Sequence, residues 1–163
     1  MAWINPTTVA TGDVLTAAKW NQDVVANGAE LAPFFSAWTA YTPVWTNLTV
    51  GNATNTGRYV QVGKWVIYQG QITWGSTTSA TGSNTTVSLP VTAATVTGLG
   101  FQGSAYINDS GTRFYIANVW RGSATTALFV HSESGGSGLV TGTAPQTWAT
   151  GDVLSWQVMY EAA

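Results

Sequence analysis

Residues 38–74 read WTAYTPVWTNLTVGNATNTGRYVQVGKWVIYQGQITW, a stretch in which aromatic and β-branched residues alternate with Thr, Asn, Gln and Gly. A period of two predicts strands of an antiparallel sheet, with one face packed and the other facing water. Gly63-Lys64 predicts a tight turn, and Trp65 to Trp74 would run back from it as the second strand of a hairpin. The residues expected to share the packed face are Val66, Tyr68, Ile72 and Trp74.

The same alternation recurs along the rest of the chain. Residues 75–86 are polar and without period, and they predict a loop. Many short strands separated by Gly, Asn, Ser and Thr predict a mostly β domain over residues 36–163, an antiparallel β-sandwich of jelly-roll type. The further strands expected are Val87 to Val91, Phe101 to Ile107, Arg113 to Trp120, Ala127 to Ser132 and Val153 to Glu161.

Residues 1–35 differ from the rest and predict an N-terminal segment with one short α-helix. Thr16 is the expected N-cap and Gly28 the expected stop, which gives about three turns. Trp20 and Val24 would share its apolar face. Because one short amphipathic helix is not stable alone in water, it must dock on its own domain, on a second copy or on a larger particle.

The hexapeptide ATGDVL occurs twice, at residues 10–15 and 149–154. The first copy precedes the predicted helix and the second opens the last predicted strand. We therefore expect the flanking pattern, and not the hexapeptide, to decide its conformation.

The composition excludes several classes of protein. Charged residues make up 7% of the 163 residues, and the net charge is −2. The basic residues are too scattered for a nucleic-acid footprint, and no apolar run reaches the length of a membrane-spanning helix. The N-terminus has no signal-peptide pattern, so we expect synthesis in a cytoplasm. So little charge predicts a surface covered by copies of the same chain or by a larger particle.

The sequence contains few residues that could act as catalytic groups. His131 is the one histidine, and Glu133 is the acid nearest to it in sequence. A triad needs more than this pair, so we interpret His131 as a strand-end residue that faces solvent. Asp109 is interpreted as a turn residue, because a calcium site needs several carboxylates. We therefore expect no enzyme, no cofactor and no metal site.

Aromatic residues are the stronger candidates for function. Exposed Trp and Tyr on a sheet can stack on sugar rings, whereas buried ones form a core or a subunit interface. We interpret most of these aromatic residues as part of the core or of a subunit interface. The candidates for either role are Trp45, Trp65, Trp74, Tyr106, Trp120 and Trp148.

Two blocks of sequence carry a resemblance to a known class of proteins. Residues 12–27 read GDVLTAAKWNQDVVAN, and the β region contains Gly57-Arg58-Tyr59, Val62-Gly63-Lys64 and Ser88-Leu89-Pro90. Together they resemble virion accessory proteins of tailed bacteriophages, namely minor tail, tail-fibre-like or capsid-decoration proteins, particularly those of phages of high-GC Gram-positive hosts.

The resemblance implies a non-enzymatic virion protein that forms a homotrimer and contacts other capsid or tail proteins. Residues 1–35 would attach it to the particle, and the β-sandwich would face outward. The alternative is a glycan-binding adhesin that recognises the bacterial host surface. The residues expected to anchor the chain are Trp3, Leu15, Trp20, Val24, Leu31, Phe34 and Phe35.

Overall fold

The structure, a computed structural model, describes residues 4–95, 101–133 and 136–163. Within these ranges an N-terminal helical segment precedes twelve β-strands. The strands are β1 Thr39–Tyr41, β2 Trp45–Thr46, β3 Leu48–Thr49, β4 Thr54–Val62, β5 Trp65–Thr73, β6 Ser79–Ala80, β7 Thr86–Ser88, β8 Phe101–Asp109, β9 Arg113–Arg121, β10 Thr126–Glu133, β11 Gly136–Leu139 and β12 Val153–Glu161.

Ten of these strands form one antiparallel sheet in the order β1-β4-β5-β12-β8-β9-β10-β7-β2, with β11 paired to β10. The sheet curls until its two ends meet. The hydroxyl of Tyr41 on β1 lies 2.6 Å from the hydroxyl of Ser88 on β7, and the Ser88 N–H donates to the Val44 carbonyl at 2.8 Å. The predicted mostly β, sandwich-like fold with one short N-terminal helical segment is confirmed.

An aromatic cluster fills the interior of the curled sheet. Trp156 on β12 makes edge-to-face contacts with Trp45, Tyr68 and Phe129, at centroid distances of 5.3, 5.8 and 5.6 Å. These partners lie on β2, β5 and β10, so one indole contacts three other strands of the sheet. Such contacts stabilise the core beyond the burial of apolar area alone.

The predicted β4–β5 hairpin is confirmed. Its turn contains Gly63 with φ of 56°, and Val62 pairs with Trp65. All four residues predicted for its packed face are buried: Val66, Tyr68, Ile72 and Trp74.

The other strand predictions hold with two corrections. The bounds of β12 are those predicted, and β8, β9 and β10 begin or end within two residues of their predicted ends. The strand predicted over Val87 to Val91 is present with different bounds, because β7 begins at Thr86 and ends at Ser88. Residues 75–86 are not all loop, since β6 pairs with β3.

The N-terminal segment contains α1 Ala17–Trp20, a π-helical turn Asn21–Ala26, α2 Asn27–Leu31 and a 3₁₀ turn Ala32–Phe34. Thr16 is the N-cap, as predicted, and its hydroxyl accepts from the Lys19 N–H at 3.2 Å. The predicted stop at Gly28 is wrong. Gly28 lies inside α2 and does not adopt the left-handed conformation that ends a helix.

The repeated ATGD sequence forms the same turn twice. Gly12 and Gly151 both have φ of 96°, as the third position of a type II turn requires. In each copy the aspartate carboxylate accepts from the N–H of the alanine that opens the motif, at 2.7 Å for Asp13 and 2.8 Å for Asp152. The expectation that flanking sequence decides the conformation is therefore wrong for these four residues. It holds for the valine and leucine that follow, which form a strand in the second copy alone.

Candidate binding surfaces

A groove with a volume of about 680 Å³ crosses the outer face of the sheet. It runs over β4, β5, β12, β8 and β9, each of which is paired on both sides. Because side chains alternate across a strand, the apolar residues of these strands point into the core and their polar neighbours point into the groove. The outward side chains that line it are Thr56, Arg58, Gln69, Gln71, Ser104, Tyr106, Ile116, Ser155 and Gln157.

The strand register aligns one polar row across the groove. Arg58 lies opposite Gln69, Gln69 opposite Gln157, and Gln157 opposite Ser104. The Arg58 Nε and Nη2 groups donate to Gln69 Oε1 at 3.1 and 2.9 Å. Gln69 Nε2 then donates to Gln157 Oε1 at 2.8 Å. We call Arg58, Gln69 and Gln157 the polar relay.

The direction of the polar relay follows from the chemistry of arginine. A guanidinium group donates hydrogen bonds and accepts none, so the Gln69 oxygen must face Arg58. The Gln69 nitrogen then faces Gln157, which must present its own oxygen. Among the described residues no further hydrogen bond uses Arg58 Nη1 or Gln157 Nε2, so each end of the relay offers a donor.

Aromatic rings flank the groove on both sides. The Arg58 guanidinium lies 4.8 Å from the centroid of the Trp38 ring, a cation–π contact that fixes the arginine from a second direction. At the other side Tyr106 stacks with Phe114, with centroids 5.2 Å apart and planes at 22°. Tyr106 is 44% exposed, so part of its ring is open to a ligand.

The chemistry of the groove is that of a binding surface. Its lining contains neither a carboxylate nor an imidazole, and Arg58 is its one charged side chain. Acid–base hydrolysis of a glycosidic bond needs two carboxylates across a cleft. The lining supplies hydrogen-bond donors, acceptors and an aromatic face instead.

The structure separates the six candidate aromatics into two groups. Trp45 and Trp74 are buried, and Trp148 is partly buried and stacks on Trp74 at a centroid distance of 4.0 Å. Those three are core residues, as the favoured interpretation expected. The three exposed ones are Trp65, Tyr106 and Trp120, at 51%, 44% and 45%. Of the six, Tyr106 is the one that lines the groove.

His131 does not face solvent, so that expectation is wrong. It is buried, because it continues the inward series of Ala127 and Phe129 on β10, and its imidazole lies beside Gly138 on β11. The side chain of Glu133 lies outside the described part of the molecule. Asp109 lies at a turn, as predicted, where its carbonyl accepts from the Thr112 N–H at 2.9 Å.

The expected anchoring residues lie together on the N-terminal segment, and those that the structure describes are exposed. Trp3 lies outside the described residues. Exposure ranges from 45% at Leu31 to 88% at Phe35. We call this set the apolar N-terminal surface: Leu15, Trp20, Val24, Leu31, Phe34 and Phe35.

The polar side of the same segment is covered by its own chain. Asn27 is 3% exposed, accepts from the Ile4 N–H at 3.0 Å and donates to the Ile4 carbonyl at 2.7 Å. Asp23 accepts from the backbone N–H and the hydroxyl of Thr7 at 3.2 and 3.0 Å. The preceding chain therefore covers these two polar side chains, whereas the large apolar side chains of the segment stay exposed.

The polar relay is the part of the candidate sites that sequence reasoning missed. A local signal was present, since Gln69 occupies an outward position of β5, whose inward residues were predicted correctly, and β12 shows the same alternation around Gln157. The pairing of β12 with β5 brings Gln69 and Gln157 together. No local pattern in the sequence predicts that pairing.

Comparison of the chain with protein-family models, curated proteins and solved structures found no match. Among residues 4–95, 101–133 and 136–163, no helix has the length and apolar character to cross a membrane. The same ranges contain no cluster of three or more His, Asp or Glu side chains placed to hold a metal ion.

Proposed function

We propose that this chain is a non-enzymatic structural protein of a tailed-phage particle, either a capsid-decoration or a minor tail component. Residues 1–35 attach it to the particle, and residues 36–163 form the displayed β domain. The observation that carries the proposal is that residues 4–7 cover Asn27 and Asp23 of the N-terminal segment while its large apolar side chains are exposed.

The energetic argument concerns the six residues of the apolar N-terminal surface. Burying a large apolar side chain stabilises an assembly by roughly 1.5–3 kcal/mol, so six of them supply a substantial driving force for association. Isolated large apolar residues on a surface are ordinary, but a contiguous group marks an interaction site. Here the group is on one short helical segment, which is typical of an anchor.

A second apolar stripe supports assembly of the β domain with copies of itself. Phe114, Ile116 and Trp120 occupy outward positions of β9 and are 63%, 70% and 45% exposed. A homotrimer that packs along this stripe would cover it. Aromatic residues dominate the energetics of such interfaces.

Two experiments test the structural role. Particles assembled with residues 36–163 alone should lack the density that the full chain contributes in electron microscopy, because the anchor is missing. Light scattering of the isolated full chain should give a trimer, and Phe114→Glu with Trp120→Glu should reduce it to a monomer. A monomeric wild-type chain, or particles that keep the truncated chain, would contradict the proposal.

A second candidate function, recognition of a glycan on the host surface, is favoured by one separate observation. The groove presents hydrogen-bonding side chains beside a partly exposed tyrosine. Attachment to the particle uses residues 1–35, none of which lines the groove.

A further inference from the structure

We propose that the groove across β4, β5, β12, β8 and β9 is a carbohydrate-binding site for a chain of several sugar units. The polar relay and the hydroxyls beside it would bind the sugar hydroxyl groups, and Tyr106 would stack on a ring. The inference rests on the second candidate function and is independent of attachment to the particle.

The polar side chains of the groove match the needs of sugar hydroxyls. A sugar hydroxyl both donates and accepts, and so do glutamine amides and the hydroxyls of Ser and Thr. Gln71, Ser104 and Ser155 flank the polar relay on neighbouring strands. The groove therefore offers donors and acceptors in close alternation, with a single positive charge at Arg58.

The polar relay is already ordered without a ligand. Arg58 is held by two hydrogen bonds to Gln69 and by the Trp38 ring, and Gln69 is held in turn by Gln157. Binding loses less free energy to conformational entropy when the contacting side chains are fixed in advance. Side chains on paired strands are also positioned more exactly than side chains on loops.

Tyr106 supplies the aromatic contact. Its ring is backed by Phe114, which restricts its motion, and almost half of its surface is open. A sugar ring has hydroxyls at its rim and C–H groups on its face. The polar side chains of the groove can bind the hydroxyls, and the tyrosine ring can pack against the C–H groups.

The dimensions favour a chain over a single sugar. Neighbouring strands lie about 4.8 Å apart, so the four intervals from β4 to β9 span roughly 19 Å. Arg58 on β4 and Tyr106 on β8 are three of these intervals apart, roughly 14 Å, which is far enough to contact different units of one ligand.

Other classes of ligand fit this surface poorly. A nucleic acid needs several cations along its path, and the lining has one. An apolar ligand would leave the relay amides buried without partners. A peptide strand adds to an open sheet edge, whereas every strand under the groove is paired on both sides.

The test is binding of the full chain to an array of neutral and acidic bacterial oligosaccharides, followed by calorimetry with the best-bound glycan. Tyr106→Ala and Gln157→Leu should each weaken binding about tenfold, the scale of one good contact. Tyr106→Phe, which keeps the ring, should bind more tightly than Tyr106→Ala. Trp65→Ala removes an exposed aromatic from the same face outside the groove, and it should leave binding unchanged.

Three results would overturn the proposal. The first is no glycan bound by the wild-type chain, and the second is equal binding by the wild type, Tyr106→Ala and Gln157→Leu. The third result concerns Ser104→Trp, which fills the groove. If this variant has a different molecular mass from the wild type in light scattering, a second copy of the chain occupies the groove. If the wild-type chain binds no glycan on the array but still joins particles, the groove proposal alone fails.

Discussion

The indole of Trp156 occupies the space where a β-carbon on Gly70 would lie. The two residues are directly paired across β12 and β5, and the nearest ring atom to that position is Trp156 Cζ2. The absence of a side chain at position 70 thus admits the indole to the centre of the core, where it contacts Trp45, Tyr68 and Phe129.

Gly70→Ala should therefore destabilise the fold. The added methyl group would overlap a buried ring, which must then shift, so we expect a loss of about 1–3 kcal/mol in the free energy of unfolding. Urea denaturation followed by tryptophan fluorescence measures it. Gly28→Ala is the matched control, because nothing lies within 4 Å of that position, and it should cause no loss of stability. Equal stability of Gly70→Ala and the wild type would contradict the packing described.

The two ATGD turns allow a matched test of a buried carboxylate. Asp152 is 1% exposed and accepts hydrogen bonds from Ala149 N, Ser110 N and Gln146 Nε2, at 2.8, 2.9 and 2.9 Å. Asp152→Asn replaces one acceptor oxygen with a donor and should cost about 2 kcal/mol. Asp13→Asn makes the same change in an exposed turn and should cost less than about 0.5 kcal/mol. If thermal denaturation shows equal losses, the burial of Asp152 does not determine its contribution.

Alkaline pH should destabilise the protein through Tyr160. Burial raises the pKa of Tyr160 to about 12, partly opposed by its hydrogen bond with Val91, and burial also raises the pKa of Tyr68. A raised pKa in the folded state means that stability is complete below pH 10, the ordinary tyrosine value, and is lost as the pH rises toward 12. Urea midpoints measured from pH 8 to pH 11.5 should fall in that window.

Tyr160→Phe separates this effect from general alkaline unfolding. The variant loses the hydrogen bonds to the Val91 carbonyl and N–H, at 2.9 and 3.2 Å, so it should be less stable than the wild type at pH 8 by about 1 kcal/mol. Above pH 10 its stability should decline less steeply. A decline as steep as that of the wild type would assign the pH dependence to other groups.

Local pattern was enough to predict the strands but not their arrangement. A period of two is visible over a few residues, which is why the inward residues of β5 and the bounds of β12 were predicted correctly. The strand order depends on packing between distant segments, such as Trp156 against Gly70. The polar relay joins residues 58, 69 and 157, and their meeting could not be predicted without that order.

In the N-terminal segment, individual residues were predicted correctly, but the end of the helix and its contacts with the preceding chain were not. Its apolar residues were recognisable from helical spacing, and the N-cap at Thr16 was predicted correctly. The helix passes Gly28 because ending it there would require a left-handed conformation that the glycine does not adopt. Coverage of Asp23 and Asn27 by residues 4–7 had no sequence signal.

Charged substitutions on the apolar N-terminal surface should abolish particle association without unfolding the chain. Val24 and Leu31 are 47% and 45% exposed, so Val24→Asp and Leu31→Asp should change the free energy of unfolding by less than about 0.5 kcal/mol. In the particle the same carboxylates would be buried without partners, which is strongly unfavourable. Co-sedimentation with particles measures the association. Gln22→Asp, on an exposed polar residue of the same helix, is the control and should co-sediment normally.

Hydroxyl-radical labelling at Trp20, compared between the free chain and the intact particle, tests the anchoring claim most directly. Trp20 is 48% exposed in the chain alone, and Trp65, at 51%, provides an internal reference on the β domain. We expect Trp20 to be labelled readily in the free chain and strongly protected in the particle, with Trp65 labelled alike in both. Equal labelling of Trp20 in the two states would contradict attachment through the apolar N-terminal surface.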